Sequence, residues 1–208
     1  EPKAPTDTIA LNQINWQFNY PRYEYDDYPG IERFIKQKLI FGHEKEYGKT
    51  YAIDLTLPDY ASWMANIAYN SIKKTNNDGL MLDWWHDEHP TKFSEASIRR
   101  ARKSFIEEYR KLDKHQTIVL GNVNDRTDKE FAQLINGVFL EFWKRPFGPY
   151  SNKELYEMEQ VIEFFDNNLL EPKIIALNAW KKTNKNLSVE EDRNSPINRK
   201  FAKMFTAM

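Results

Sequence analysis

From residue 50 onward the chain alternates short apolar runs with longer stretches whose apolar residues recur every three or four positions. Tyr51–Leu55 reads as a short strand. Residues 59–74 then place Tyr60, Trp63, Met64, Ile67, Ala68 and Ile72 on one helical face. Gly79–Trp84 is the next strand, and residues 94–113 form a helix with Ile98, Ala101, Phe105, Tyr109 and Leu112 as its apolar stripe. Thr117–Asn122 is a strand, after which Thr127 and Glu130 form a capping box that opens a further helix. Gly137–Trp143 is a strand, and Ser151 with Glu154 is a second capping box. It starts a helix that turns Leu155, Met158, Val161, Ile162 and Phe165 inward. Lys173–Trp180 is a strand, and a weaker helix occupies about 189–206.

Five successive strand-then-helix units predict a parallel sheet, because parallel strands need crossover connections. The strand runs are apolar throughout rather than alternating, which predicts burial on both faces. No glycine-rich phosphate loop follows any of them, so a dinucleotide-binding sheet is disfavoured. The expected fold is therefore α/β, a (β/α)8 TIM-type barrel. A complete barrel takes about 250 residues, whereas five to six units are visible here, so the barrel is expected to be incomplete in this chain. Residues 1–49 form an aromatic-rich segment with one further strand around Ile9–Phe18, and residues 50–208 carry the repeats of a single barrel domain.

Composition narrows the partners. The 30 basic and 31 acidic residues are interspersed and leave a net charge of −1, which argues against nucleic acid. No apolar run reaches the roughly 20 residues of a membrane span. With 0 cysteines the chain has neither disulfides nor thiolate chemistry. It begins Glu1-Pro2-Lys3, as a processed product or a piece of a longer chain would. A barrel short of strands exposes sheet edges, so the rest of its own barrel or a homo-oligomer is the expected partner.

Two stretches share one pattern: GLMLDWW at 79–85 and GVFLEFW at 137–143, each a glycine, three apolar residues, an acid and two aromatics. In a barrel the loops after the strands build the pocket, so acids at strand ends face the chemistry. Asp83 and Glu141 stand there, two strands apart, where carboxyls can approach to about 5–9 Å, the range of glycoside hydrolysis. That reaction needs two carboxyls, one to protonate the glycosidic oxygen and one to attack or stabilise the anomeric carbon. Trp84, Trp85 and Trp143 offer indole faces to the C–H face of a sugar. Asn122, Asn124, Asn178, Trp180 and His86 complete the expected substrate-binding set. Asp54 either lines the same pocket or caps the helix that starts near Pro58. His86 and His89, with Asp83, Asp87 and Glu88, match no zinc spacing, so neither metal nor cofactor is expected.

The block IDLTLPDYASWMANIAYNSIKKTNNDGLMLDWW resembles TIM-barrel glycosyl-hydrolase-like families, in which an xDLTxPxY stretch and a helix precede a strand ending DGxxLDxW. The likeness runs from about 50 to 180 and is most specific at 51–85. It implies a (β/α)8 barrel with Asp83 catalytic at the fourth strand and Glu141 as its partner after the sixth. By analogy with retaining families, Asp83 is the nucleophile and Glu141 the acid/base. The expected activity is two-carboxylate hydrolysis of a poly- or oligosaccharide; the residues leave the compartment open, with a secreted, periplasmic or cell-surface protein favoured. The competing class is a non-catalytic carbohydrate-binding or structural barrel. A third option, metal-dependent hydrolysis through His86 and His89, predicts sensitivity to chelators.

Overall fold

The computed structural model describes residues 8–15, 18–19, 30–39, 50–86, 93–142, 150–179 and 184–207. Its centre is a five-stranded sheet of β1 (Leu11–Asn15), β5 (Gly79–Asp83), β6 (Ile118–Asn122), β7 (Gly137–Phe142) and β8 (Ile174–Ala179), in that spatial order. All neighbouring pairs run parallel. Helices α1 (Tyr60–Thr75), α2 (Glu95–Asp113), α3 (Lys129–Ala132) and α4 (Asn152–Asn168) lie in the four crossovers, and α5 (Val189–Arg193) and α6 (Pro196–Ala207) follow β8. This is the expected α/β architecture, with the strand anticipated near Ile9–Phe18 present as β1.

The run Tyr51–Leu55 is not a strand of this sheet. It forms β4 (Thr50–Ile53), the middle strand of a three-stranded antiparallel sheet with β2 (Phe18–Asn19) and β3 (Ile35–Leu39). An apolar run announces a strand but not its partner, and pairing is a long-range property. Its partner β3, IKQKL, has apolar residues only at its two ends, and its register with β4 shifts between Ile35 and Gln37. The small sheet is inserted between β1 and α1, that is, after the carboxyl end of a strand. A short 3-10 helix, Ile31–Phe34, joins it to the main core through Phe34, whose ring meets Tyr60 at 5.3 Å and Trp63 at 4.7 Å.

The sheet is not sealed on both faces. On the helix side Leu80, Leu82, Val119, Val138 and Leu140 are all 0% exposed. On the other side Met81, Asp83, Phe139 and Glu141 are only half-buried. In β5 and β7 the residues alternate in burial although they do not alternate in polarity at the base of the strands, whereas in the central β6 Val119 to Asn122 are buried on both faces. Apolar inner positions fill the lower interior of a barrel, and polar ones appear only near its mouth.

The lower end of the sheet is held by a buried polar network. Arg110 donates through Nη1 to Asp113 Oδ2 at 2.9 Å and to the Thr117 carbonyl at 2.8 Å, and through Nη2 to Asn136 Oδ1 at 2.9 Å. Asn136 in turn accepts from the Val119 amide and donates to the Glu171 carbonyl. The Tyr109 and Thr117 hydroxyls meet at 2.6 Å. Burial, ahead of the nearby Asp113 carboxylate, pushes the Tyr109 hydroxyl up to about 12. The unfolded chain releases that proton at about 10 while the native chain keeps it. The native state then binds more protons, so this contribution to stability is intact below pH about 10 and is lost as pH rises to about 12. Urea midpoints across that window are expected to fall less steeply in Tyr109→Phe than in the wild type.

Glycine at the start of β5 and β7 has a steric cause. A Cβ on Gly79 would lie 1.9 Å from the Ile118 carbonyl oxygen, and one on Gly137 would lie 2.6 Å from that of Ile174. Both obstacles are backbone and cannot swing away. Gly79→Ala is expected to destabilise by about 1–3 kcal/mol or more, the cost of forced overpacking, in a denaturant titration.

The helix starts follow local rules, with one correction. Ser151 and Glu154 form their reciprocal capping box, and Ser188 and Glu191 form another at α5. At α3 the cap is Asp128, accepting from the Glu130 amide at 3.1 Å, and not Thr127. The helix is only four residues long and starts one position later than the Thr–Glu spacing assumes.

Candidate active site

Register places the two acids. Leu82 pairs with Gly121, so Asp83 is level with Asn122, and Asn122 pairs with Phe139. Glu141 lies two residues farther along β7 and pairs with Asn178 of β8. Gln13 pairs with Met81, two residues below Asp83. Residues level with one another, or two apart on one strand, share a face. Gln13, Asp83, Asn122, Glu141 and Asn178 therefore line the half-open inner face toward the carboxyl ends of four adjacent strands and their neighbour β1. In this sheet Asp83 ends the second strand in spatial order and Glu141 lies on the fourth.

Asp83 is tightly held. Its Oδ1 accepts from its neighbour's backbone, the Trp84 amide, at 3.0 Å, and from Asn122 Nδ2 at 3.0 Å. Its Oδ2 accepts from Gln13 Nε2 at 3.3 Å. Asn122 is only 6% exposed and is itself fixed, its Oδ1 accepting from the Asn124 amide at 3.2 Å. Asn124, at φ 57°, uses its carbonyl to accept from the Glu141 amide at 3.1 Å. The end of β6 thus orients the first acid through the Asn122 side chain, and the loop after it orients the second through the Asn124 backbone. The end of β7 is further tied by the Tyr150 hydroxyl, which donates to the Phe142 carbonyl at 2.7 Å.

The aromatics after Asp83 separate. Trp84 is half-buried and adopts φ 59°, a left-handed conformation that a bulky residue holds only when its surroundings enforce it. That kink breaks the alternation and sends Trp85 to the helix side of the sheet. Trp85 is 0% exposed, packed on Phe105 and Phe131 in the space left by Gly121. A Cβ on Gly121 would lie 2.4 Å from Trp85 Cδ1. Trp85 is therefore a core residue and cannot stack on a sugar, contrary to the expectation from sequence. Its backbone amide donates to the Asn122 carbonyl at 2.7 Å, and its carbonyl accepts from Arg102 at 3.2 Å. Arg102 is buried between Trp85 and Phe131, its guanidinium 3.5 Å from the Phe131 ring centroid. This anchors the loop to α2.

His86 is also turned inward, at 3% exposure. Its ring lies 5.2 Å from that of Trp84, and it lines a cavity of about 30 Å³ with Arg102, Asp128 and Phe131. A space of that size holds about one water and no sugar. His86 is thus buried beside Trp84 and not at an open surface. Asp54 is corrected as well: it does not end a strand of the parallel sheet, and the residue at the start of α1 is Asp59. Asp54 closes its own turn, its Oδ1 accepting from the Thr56 amide at 3.1 Å and hydroxyl at 2.6 Å.

Trp143, Trp180, Asp87, Glu88 and His89 lie outside the described residues. Among the described residues no group of three His, Asp or Glu side chains is placed to hold a metal ion, and no helix is long and apolar enough to cross a membrane. Gln13 was missed by sequence reading. LNQIN has no period-two pattern that would mark it, and its place on the inner face follows only from the pairing of β1 with β5.

No family model and no curated protein matches the chain. Solved structures do. The cycloisomaltooligosaccharide glucanotransferase of Paenibacillus sp., complexed with cycloisomaltoheptaose, is 14% identical with a TM-score of 0.57; the match covers 88% of this chain and 28% of that one. The glycoside hydrolase domain of PelA from Pseudomonas aeruginosa is 12% identical with a TM-score of 0.55, over 96% of this chain and 73% of that domain. Its E218A variant matches at 0.54 over 81% and 66%. At these identities the likeness concerns the fold: a TIM-barrel-type α/β sheet of the kind found in glycoside hydrolases, here with five parallel strands among the described residues.

Proposed function

We propose that the protein is a glycoside hydrolase acting on a poly- or oligosaccharide, with Asp83 as nucleophile and Glu141 as acid/base. The observation that carries this reading is the fixed carboxylate of Asp83, oriented by three N–H donors on the same inner face as Glu141. Two strand spacings put the acids about 9.6 Å apart across the sheet, and two residues of offset add about 6.6 Å along it at the backbone. Side chains leaning over a concave face bring the carboxyls toward the range in which glycosidases work.

In the first half-reaction a carboxylate oxygen of Asp83 bonds the anomeric carbon while the glycosidic C–O bond breaks, and Glu141 gives its proton to the departing oxygen. In the second, Glu141 takes a proton from water, the hydroxyl adds to the anomeric carbon, and Asp83 is released. Trp84 is the aromatic face for the sugar ring, and Asn178, level with Glu141, is placed for a hydroxyl. Further barrel strands, from additional chain or a second copy, would close the inner face around this site.

The reading is tested by reducing-sugar release across a panel of polysaccharides. Glu141→Gln is expected to lower turnover of unactivated substrates by about 10²- to 10⁴-fold, the usual worth of general acid catalysis. Aryl glycosides with acidic leaving groups should lose far less in glycosyl transfer to the enzyme, because they need no proton. Equal losses on both substrate types would remove Glu141 from the acid role.

A further inference from the structure

We infer that the attacking atom is Oδ2 of Asp83 and that Gln13, on the neighbouring strand β1, is the residue that positions it. The inference deepens the proposed reaction and rests on the reading of Asp83 as its nucleophile.

The two carboxylate oxygens are held unequally. Oδ1 accepts two hydrogen bonds at 3.0 Å, from the Trp84 amide and from Asn122 Nδ2. Both donors are stiff: one is backbone in a constrained conformation, the other a buried amide with its own partner. A carboxylate oxygen has two lone-pair directions in the carboxyl plane, and Oδ1 has both occupied. It serves as the hinge about which the group is fixed. Among the described residues Oδ2 accepts one bond, at 3.3 Å, from the exposed side chain of Gln13. One lone pair of Oδ2 therefore remains for the anomeric carbon, and the hydrogen bond to Gln13 determines where it points. When the C–O bond to the sugar forms, the glycosidic bond breaks and its oxygen takes the Glu141 proton. The amide of Gln13 stays on the ester oxygen and resists rotation about the Asp83 Cβ–Cγ bond. Gln13 thus acts through Asp83, as a positioning residue.

The test uses the full chain and whichever panel sugar the wild type cleaves, together with the 2-deoxy-2-fluoro glycosyl fluoride of that sugar, followed by intact-protein mass. Gln13→Met keeps the length of the side chain without the amide, and Gln13→Asn keeps the amide one methylene short. Both are expected to lower kcat about 10- to 100-fold, the cost of a reacting atom left about an ångström out of line. Both should slow fluorosugar trapping by the same factor, with KM unchanged within about twofold and an unchanged thermal midpoint. A purely structural role would move the midpoint and leave the trapping rate per folded molecule unaltered. Wild-type kcat and trapping in both variants, beside an inactive Asp83→Asn, would overturn this inference alone. A wild type that neither turns over nor traps, whatever the panel sugar, would overturn the underlying reading and the inference with it.

Discussion

Asp83→Asn is expected to abolish reducing-sugar release, with turnover falling by at least about 10³-fold while affinity for the sugar is retained. On the proposed reading the substitution removes the nucleophile and little else. The new carbonyl oxygen can still accept from the Trp84 amide and Asn122, as Oδ1 does now at 3.0 Å from each. The thermal midpoint should therefore stay near that of the wild type, which makes the activity loss readable as chemistry. Retention of release in Asp83→Asn would place the nucleophile elsewhere. Sugar binding without turnover in the wild type itself would move the protein to the non-catalytic, carbohydrate-binding class.

The largest loss of stability is expected far from that site, in Asp113→Ala. Asp113 is 1% exposed and accepts from Arg110, from the amides of His115 and Thr117, and from the Thr117 hydroxyl at 2.7 Å. Removing it leaves the guanidinium of Arg110, itself 7% exposed, buried without its counter-charge. Breaking one side of such a pair costs about 3–5 kcal/mol, or roughly 10 °C in thermal midpoint for a chain of this size. Replacing both members with apolar residues, as in Arg110→Met with Asp113→Leu, should recover much of the loss, because it removes the uncompensated charge along with the pair. A double variant no more stable than Asp113→Ala would show that the bonds of Arg110 to the Thr117 carbonyl and Asn136 matter more than the charge balance.

Much of the barrel was legible because its cause is local. The period of apolar residues along α1, α2 and α4 and the runs of β5 to β8 are written in adjacent positions, and so is the Ser151–Glu154 cap. What was not legible depends on which segments meet. Nothing near Tyr51–Ile53 says that its partners are β2 and β3 rather than a strand of the main sheet. The two strand-end acids were identifiable from the repeated pattern at 79–85 and 137–143, but the fates of their neighbours were not. Trp84 and Trp85 are the same residue type one position apart. The positive φ of the first and the missing side chain of Gly121, 36 residues on, decide that the first stays half-buried and the second joins the core. Gln13 was overlooked for the same reason: its role exists only through pairing with a strand 66 residues away.

The registers that link β5, β6 and β7 have a consequence for how such a site can change. A side chain returns to the inner face only every second residue, so an acid cannot be moved along β7 by a small amount. The available settings are Phe139, level with Asn122, and Glu141, one pleat higher. The gap between the two carboxyls is thus a discrete variable, with steps of about 6.6 Å at the backbone. That step exceeds the difference that separates attack by a carboxylate from attack by a water held between two carboxyls. A lineage built on this sheet would therefore switch stereochemical outcome by a jump from one pleat to the next, or by exchanging one acid for a shorter or longer one, and not by gradual drift.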